Sequence, residues 1–278
     1  MHYPSFTFVL WGLAAVATGG ECCKAKAKCP VASVSDLVNT GNPVGKSEVY
    51  ENVTMYYTGG DNATDVSVLF LTDIYGLASP ENKLLADSFG RAGYFTVAPD
   101  LFNGSPSPLD MNAPGFNQTR FLDSHGPPET DPIVAKAVQY LREVRGARRV
   151  AVAGYCFGGR YALRFAGTTA GAGRNGVHAA FAAHPSGWTA DEIAAVALPA
   201  SVALGDLDEL NPPDKRHELE ALLANTTAPW QADLYSGAPH GFAVRANVSE
   251  PQPRFAKETA FIQAVRWFEF WAKGEPYR

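Results

Sequence analysis

The chain has 278 residues, of which 46% are hydrophobic, 12% aromatic and 18% charged. Such a composition supports one sizeable core and excludes wholesale disorder. Twenty-three basic against 28 acidic residues leave a net charge of −5, with no Lys/Arg run above that background and no apolar stretch of the ~20 residues that span a bilayer, so neither nucleic acid nor a membrane is an expected partner.

Residues 6–17 are almost wholly apolar, and Ala15-Val16-Ala17 satisfies the small-x-small rule for signal-peptide cleavage. Residues 1–17 are therefore expected to be a signal peptide, with cleavage between 17 and 20. Residues 18–44 are expected to form a tail holding Cys22, Cys23 and Cys29. Adjacent cysteines with no nearby histidine lack zinc-ligand spacing and read as a local staple. Asn-x-Ser/Thr occurs at Asn52, Asn62, Asn103, Asn117, Asn225 and Asn247. With 12 Asn and 30 Ser plus Thr in the chain, chance gives about 1.3 such motifs. Glycans are added to this motif in the secretory pathway. The expectation is a secreted, extracellular glycoprotein.

From residue 45 to 278 the pattern is one domain of alternating strands and helices. Strands are expected at 49–57, 66–72, 94–99, 149–153, 179–183, 200–204 and 231–235. Helices are expected at 81–91, 132–144, 158–166, 213–224 and 254–273. The run Val66-Ser67-Val68-Leu69-Phe70-Leu71 is apolar at nearly every position, the mark of a strand covered on both faces. Alternation of this kind predicts an α/β fold with a mostly parallel, doubly wound sheet flanked by helices. Functional residues then collect beyond the carboxyl ends of the strands. The segment 103–131 carries five prolines and reads as a long irregular excursion placed to line a site.

Val150-Ala151-Val152-Ala153-Gly154-Tyr155-Cys156-Phe157-Gly158-Gly159 is a buried strand running into a glycine-flanked turn. It has the G-x-S-x-G layout of a nucleophile elbow, with Cys in place of Ser. Such a turn projects the sulfur at a helix N-terminus, whose dipole favours a thiolate. The backbone N–H of the next residue, Phe157, is then the expected oxyanion donor. Two later segments follow strands: Gly205-Asp206-Leu207-Asp208, with two candidate acids, and Ala238-Pro239-His240-Gly241-Phe242. The order Cys156, Asp208, His240 is that of nucleophile, acid and histidine in α/β-hydrolases. His125 and His184 stand in loops and are candidates for substrate contact or for capping local backbone.

These residues resemble the dienelactone hydrolase family over roughly 45–271. The segments Leu71-Thr72-Asp73-Ile74-Tyr75-Gly76 and Ala98-Pro99-Asp100-Leu101-Phe102 share the likeness. The resemblance implies an α/β-hydrolase fold without a separate lid domain and a hydrolase that opens small lactones or cleaves activated esters. It implies Cys156 as nucleophile, His240 as base and acid, Asp208 as orienter with Asp206 as the other candidate, and Ile74 as the second oxyanion donor. Asp73, Tyr155, His125 and Arg245 are then candidate substrate-pocket residues. Asp73 stands where bacterial members carry Glu, and Gly241 and Val244 stand where they carry Ser and Arg, with Arg245 one step later. No cofactor or metal motif is present, the expected partner is a small-molecule ester or lactone, and a monomer is expected. A non-catalytic ligand-binding glycoprotein and a transacylase are the alternative readings.

Overall fold

The computed structural model describes residues 33–60, 63–167 and 176–273. The expected signal segment, the cysteines of the tail and Asn62 lie outside them. The first strands are β1 (Lys46–Tyr50) and β2 (Val53–Thr58), and they are antiparallel. The sequence predicts one strand over 49–57; the structure has a hairpin there. Glu51 and Asn52 between the two strands both have positive φ, 46° and 66°, as a tight two-residue hairpin turn requires.

β3 (Val66–Leu71) is followed by α1 (Pro80–Arg91), with Ser79 as N-cap and Pro80 in the first turn, where a missing N–H costs nothing. After β4 (Phe95–Pro99) come α2 (Gln118–Asp123) and α3 (Pro127–Gln139). The irregular stretch expected over 103–131 is therefore partly helical. Its prolines mislead because Pro127 and Pro128 occupy the first turn of α3, while Pro132, the expected start, lies inside it. Next come β5 (Arg149–Tyr155), α4 (Phe157–Phe165), β6 (Val177–Ala183) and α5 (Ala190–Ala194). The chain then forms β7 (Ala200–Leu207), α6 (Pro213–Ala224), β8 (Trp230–Pro239), α7 (Phe242–Arg245) and α8 (Pro251–Trp267). The short helices α5 and α7 fall below the length at which periodicity is readable.

Among the described residues, eight strands form one sheet in the order β1-β2-β4-β3-β5-β6-β7-β8. β2 pairs with β4 antiparallel, and every pair from β4 to β8 is parallel. Because side chains alternate across a strand, Val68 and Phe70 face the apolar layer under α1 and α8 while Leu69 and Leu71 face that under α3 and α4. The face under α4 continues in a further cluster that gathers Ala180, Val202 and Leu204 beneath Ile193 of α5 and Leu219 of α6. Both faces are thus covered, which is why β3 and β5 read as unbroken apolar runs.

Residues 33–44, placed in the tail on sequence grounds, run along α1: Val38 N donates to Ser88 Oγ and Val44 N to Asp87 Oδ2, each at 2.8 Å, and Leu37 is buried in the core. Among the described residues no helix is long and apolar enough to cross a membrane.

Candidate active site

The carboxyl ends of β3, β5, β6, β7 and β8 lie at one edge of the sheet, and the expected site residues follow them. Cys156 comes directly after β5 with φ 52° and ψ −112°, a conformation that a residue with a Cβ adopts only under constraint. The constraint is visible. A Cβ on Gly154 would lie 2.2 Å from Gly158 O, and one on Gly158 would lie 2.3 Å from Leu71 O. The turn is pinned by Gly158 N donating to Thr72 O and Cys156 N to Ala183 O, both at 3.0 Å.

Cys156 is a free thiol, 5% exposed. Its Sγ is 3.0 Å from His240 Nε2, and His240 Nδ1 is 2.9 Å from Asp208 Oδ1. The Asp208 carboxylate is buried and fully engaged: Oδ1 also accepts from Leu210 N and Oδ2 from Asn211 Nδ2, each at 2.9 Å. Asp206 is turned elsewhere and accepts from Gly237 N, so of the two candidate acids Asp208 is the one joined to the imidazole. Burial works against a charged His240, but Asp208 and the Cys156 sulfur outweigh it and push the imidazole up to about 10. Burial likewise opposes the Asp208 carboxylate, and the imidazolium holds it below its ordinary value.

Among the described residues neither the Ile74 N–H nor the Phe157 N–H has an acceptor. Phe157 is the first residue of α4, where the helix leaves its N–H groups unpaired. The turn carrying Ile74 is held by Asp73, which is fully buried and accepts from Tyr75 N at 2.9 Å, from Asn82 Nδ2 at 2.8 Å and from the Arg245 guanidinium. Arg245 also lies over the Tyr75 ring at 4.7 Å. The Asp73 carboxylate is therefore consumed by the turn and has no hydrogen bond to Cys156 among the described residues.

The other candidates differ in placement. His125 sits in an aromatic wall, its ring 4.4 Å from Phe121 and 5.2 Å from Phe102, which in turn packs on Phe157 at 5.2 Å. Tyr155 is a correction to the expected pocket set: it is 1% exposed and stacked on Phe70 in the core, because its position in β5 faces the α1–α8 layer. His184 is fully buried with its ring edge-on to His240 at 5.1 Å. The sequence reading missed three residues around the sulfur and the acid. Asn211 holds Asp208, burial and then the nearby Cys156 push the Tyr75 hydroxyl up, and Ser186 Oγ is 3.4 Å from Sγ. Asn211 stood in the acid segment and Ser186 two residues after His184, but only the fold brings them inward.

Burial, and to a lesser degree His240, hold His184 neutral well below the usual imidazole range. As the pH falls through about 6.5 the unfolded chain takes up a proton here that the folded chain refuses. Stability then drops by up to about 1.4 kcal/mol per pH unit. His240 works in the opposite window: its contribution is complete below about 6.5 and is lost as the pH rises through about 10. The expected result is a steeper fall of the urea midpoint from about pH 7 to about pH 5 in wild type than in His184→Phe. Equal slopes would show that His184 is not held neutral.

A mostly parallel sheet with helices on both faces, a strained cysteine turn after a central strand, and an acid and histidine after later strands define an α/β-hydrolase. The model of the dienelactone hydrolase family matches residues 53–271, and the chain belongs to that family. It is a hydrolase of the dienelactone hydrolase class. It is 38% identical over 241 residues to "Hydrolase pyvD" of Aspergillus violaceofuscus, covering 86% of this chain and 96% of that one. It is 34% identical to "Hydrolase tropI" of Talaromyces stipitatus, covering 84% and 93%. Among solved structures, a putative dienelactone hydrolase from Klebsiella pneumoniae superposes with a TM-score of 0.63 at 17% identity, covering 82% of this chain and 98% of that one; this likeness speaks for the fold alone.

Proposed function

We propose that the protein hydrolyses small neutral lactones and activated esters through a Cys156–His240–Asp208 triad and a thioester acyl-enzyme. The observation that carries this reading is the unbroken chain from Sγ to Nε2 at 3.0 Å and from Nδ1 to Oδ1 at 2.9 Å. Relatives named as a dienelactone hydrolase and a carboxymethylenebutenolidase homologue support lactone opening as the reaction, and the preference for neutral substrates rests on the site of this chain.

The thiolate of Cys156 attacks the substrate carbonyl, and the oxygen takes the negative charge between the N–H groups of Phe157 and Ile74. Such donors act without reorganising, and losing one typically costs on the order of 3 kcal/mol of barrier. Collapse expels the alkoxide or enolate, which takes the proton from His240 Nε2 and leaves a thioester on Cys156. His240, now neutral, removes a proton from water. The hydroxide adds to the thioester, and collapse releases the acid and regenerates the thiolate beside the imidazolium. Asp208 keeps the imidazole in the tautomer that presents Nε2 to sulfur.

Two features select the acyl group. Phe102, Phe121 and Phe157 pack together in the apolar cluster that also holds Cys156, and Arg245 is neutralised by Asp73. Uncharged substrates follow from this pairing, because a carboxylate would have to displace the buried Asp73 from the partly exposed Arg245 guanidinium. Secretion belongs to the same proposal. The sequon asparagines Asn52, Asn103, Asn117, Asn225 and Asn247 are all exposed, as glycosylation requires.

The test is turnover of p-nitrophenyl acetate and a set of small lactones with and without a carboxylate. The expected result is hydrolysis of the neutral compounds, with activity falling on the alkaline side as His240 loses its proton near 10. Folded protein with a titratable Cys156 thiol and no turnover would instead favour a ligand-binding role.

A further inference from the structure

We propose that the Ser186 hydroxyl is a hydrogen-bond donor to the Cys156 sulfur that holds the nucleophile in its thiolate form. The inference rests on the reading of Cys156 as nucleophile and adds a group outside the triad.

Ser186 Oγ lies 3.4 Å from Sγ, within the longer reach of sulfur hydrogen bonds, and Ser186 N donates to Cys156 O at 3.1 Å. One residue therefore grips the nucleophile by both its main chain and its side chain. The placement is built into the fold. His184, directly after β6, has φ 39°, a left-handed conformation that turns the chain across the end of β5. Its N–H donates to Ala203 O at 2.8 Å, which fixes the turn on β7. Pro185 O accepts from Asn211 Nδ2 at 2.9 Å, the same group that holds Asp208, and Trp188 Nε1 donates to Asn211 Oδ1 at 3.2 Å. The turn 184–188 thus braces histidine, acid and nucleophile at once: its histidine ring lies against His240, its carbonyl is tied to the partner of Asp208, and its serine reaches Cys156.

The chemistry follows from which atoms can donate. A thiol has its own proton to give and uses one acceptor. A thiolate only accepts. With the proton on His240, Nε2–H and the Ser186 O–H both point at sulfur, and the charge is shared between two donors rather than one. Hydrogen bonds to a charged partner are about twice as strong as those between neutral groups. The same donor eases the final step, since a stabilised thiolate leaves the tetrahedral adduct of water with the thioester more readily. The other titratable and charged groups around the sulfur are His240 with Asp208 behind it, Tyr75 from the β3–α1 connection, the Asp73–Arg245 pair beneath that connection, and His184, which is neutral. Apart from His240, none of these donates to the sulfur among the described residues.

The experiment is the rate of iodoacetamide alkylation of Cys156 against pH, without substrate, in wild type, Ser186→Ala, Ser186→Thr and Ser186→Val. Thr keeps the hydroxyl, while Val has the shape of Thr without it, so that pair decides the matter even if the alanine variant folds poorly. The expected result is an alkylation midpoint about one pH unit higher in the Ala and Val variants, equivalent to roughly tenfold slower alkylation on the acid limb. The Thr variant should follow wild type. With p-nitrophenyl acetate, kcat should fall and KM stay unchanged in the Ala and Val variants. If Val and Thr share the wild-type midpoint, the Ser186 assignment is overturned. Folded wild type that turns over neither p-nitrophenyl acetate nor the lactones would overturn the proposed function itself, so the two failures are distinguishable.

Discussion

Under the proposed mechanism, Cys156→Ala is expected to lose ester and lactone hydrolysis by a factor of about 10⁴ or more in kcat, while the protein remains folded. The size follows from how the proposed triad would work. Nucleophile, base and orienter act as a unit, and removing the nucleophile alone costs nearly as much as removing all three. What remains would come from the proposed oxyanion donors and from binding, which would still position a carbonyl but have nothing to attack it with. Stability should change by less than about 1 kcal/mol. Alanine tolerates the backbone at φ 52° as well as cysteine does, since both carry a Cβ, and the strain is unchanged. Deletion of the sulfur removes contacts to His240 and Ser186 but no part of the strand ladder. One electrostatic consequence is also expected. The sulfur is one of the groups that raise His240, so the histidine should titrate closer to its ordinary value in the variant, visible as a lower imidazole midpoint by NMR. A variant that keeps more than a tenth of wild-type activity would remove Cys156 from the mechanism.

The largest structural effect is expected for Gly158→Ala. The added Cβ would sit 2.3 Å from Leu71 O and 2.5 Å from Leu71 C. Those are main-chain atoms of β3 in the centre of the sheet, which cannot rotate away as a side chain would. Relief requires α4 to move off the sheet, which breaks the Gly158 N to Thr72 O bond and displaces Phe157 and Ile74 together. A loss above about 4 kcal/mol is expected from overpacking at a fully buried turn plus a lost buried hydrogen bond. Gly154→Ala should behave similarly, with its Cβ 2.2 Å from Gly158 O. Gly60→Ala is the control: its φ is +111° but nothing lies within 4 Å of the added Cβ, so only the backbone cost of about 1–3 kcal/mol applies. Urea denaturation of the three variants checks the ranking, and a Gly158→Ala protein as stable as the Gly60 control would show that the elbow is looser than the structure has it.

The parts of this arrangement that were legible in the sequence share a physical cause. The buried strands announce themselves because both faces are covered and polar residues are excluded over a short run. The elbow is readable because the collision of Cβ atoms with neighbouring main chain leaves only glycine at 154 and 158. Asp208 and His240 follow from the rule that side chains after parallel strands meet at one edge. Local signals fail where the deciding partner is distant in sequence. The hairpin at Glu51-Asn52 carries no glycine to mark it, and its turn is enforced by pairing of β1 with β2. Tyr155 looked like a pocket residue from its place beside Cys156, but alternation along β5 turns it into the core. Ser186 and Asn211 sit in segments of ordinary loop composition, and their importance arises only when β6 and β7 are laid beside β5.

The most direct test of the account is to trap the acyl-enzyme. Wild-type protein is mixed with a slowly hydrolysed p-nitrophenyl ester, quenched in acid and digested for peptide mass spectrometry. The account predicts one acyl group on the peptide containing Cys156, released by hydroxylamine as a thioester is, and absent from Cys156→Ala. Turnover that proceeds with no adduct under a p-nitrophenol burst, or an adduct carried on Ser186 instead, would contradict it.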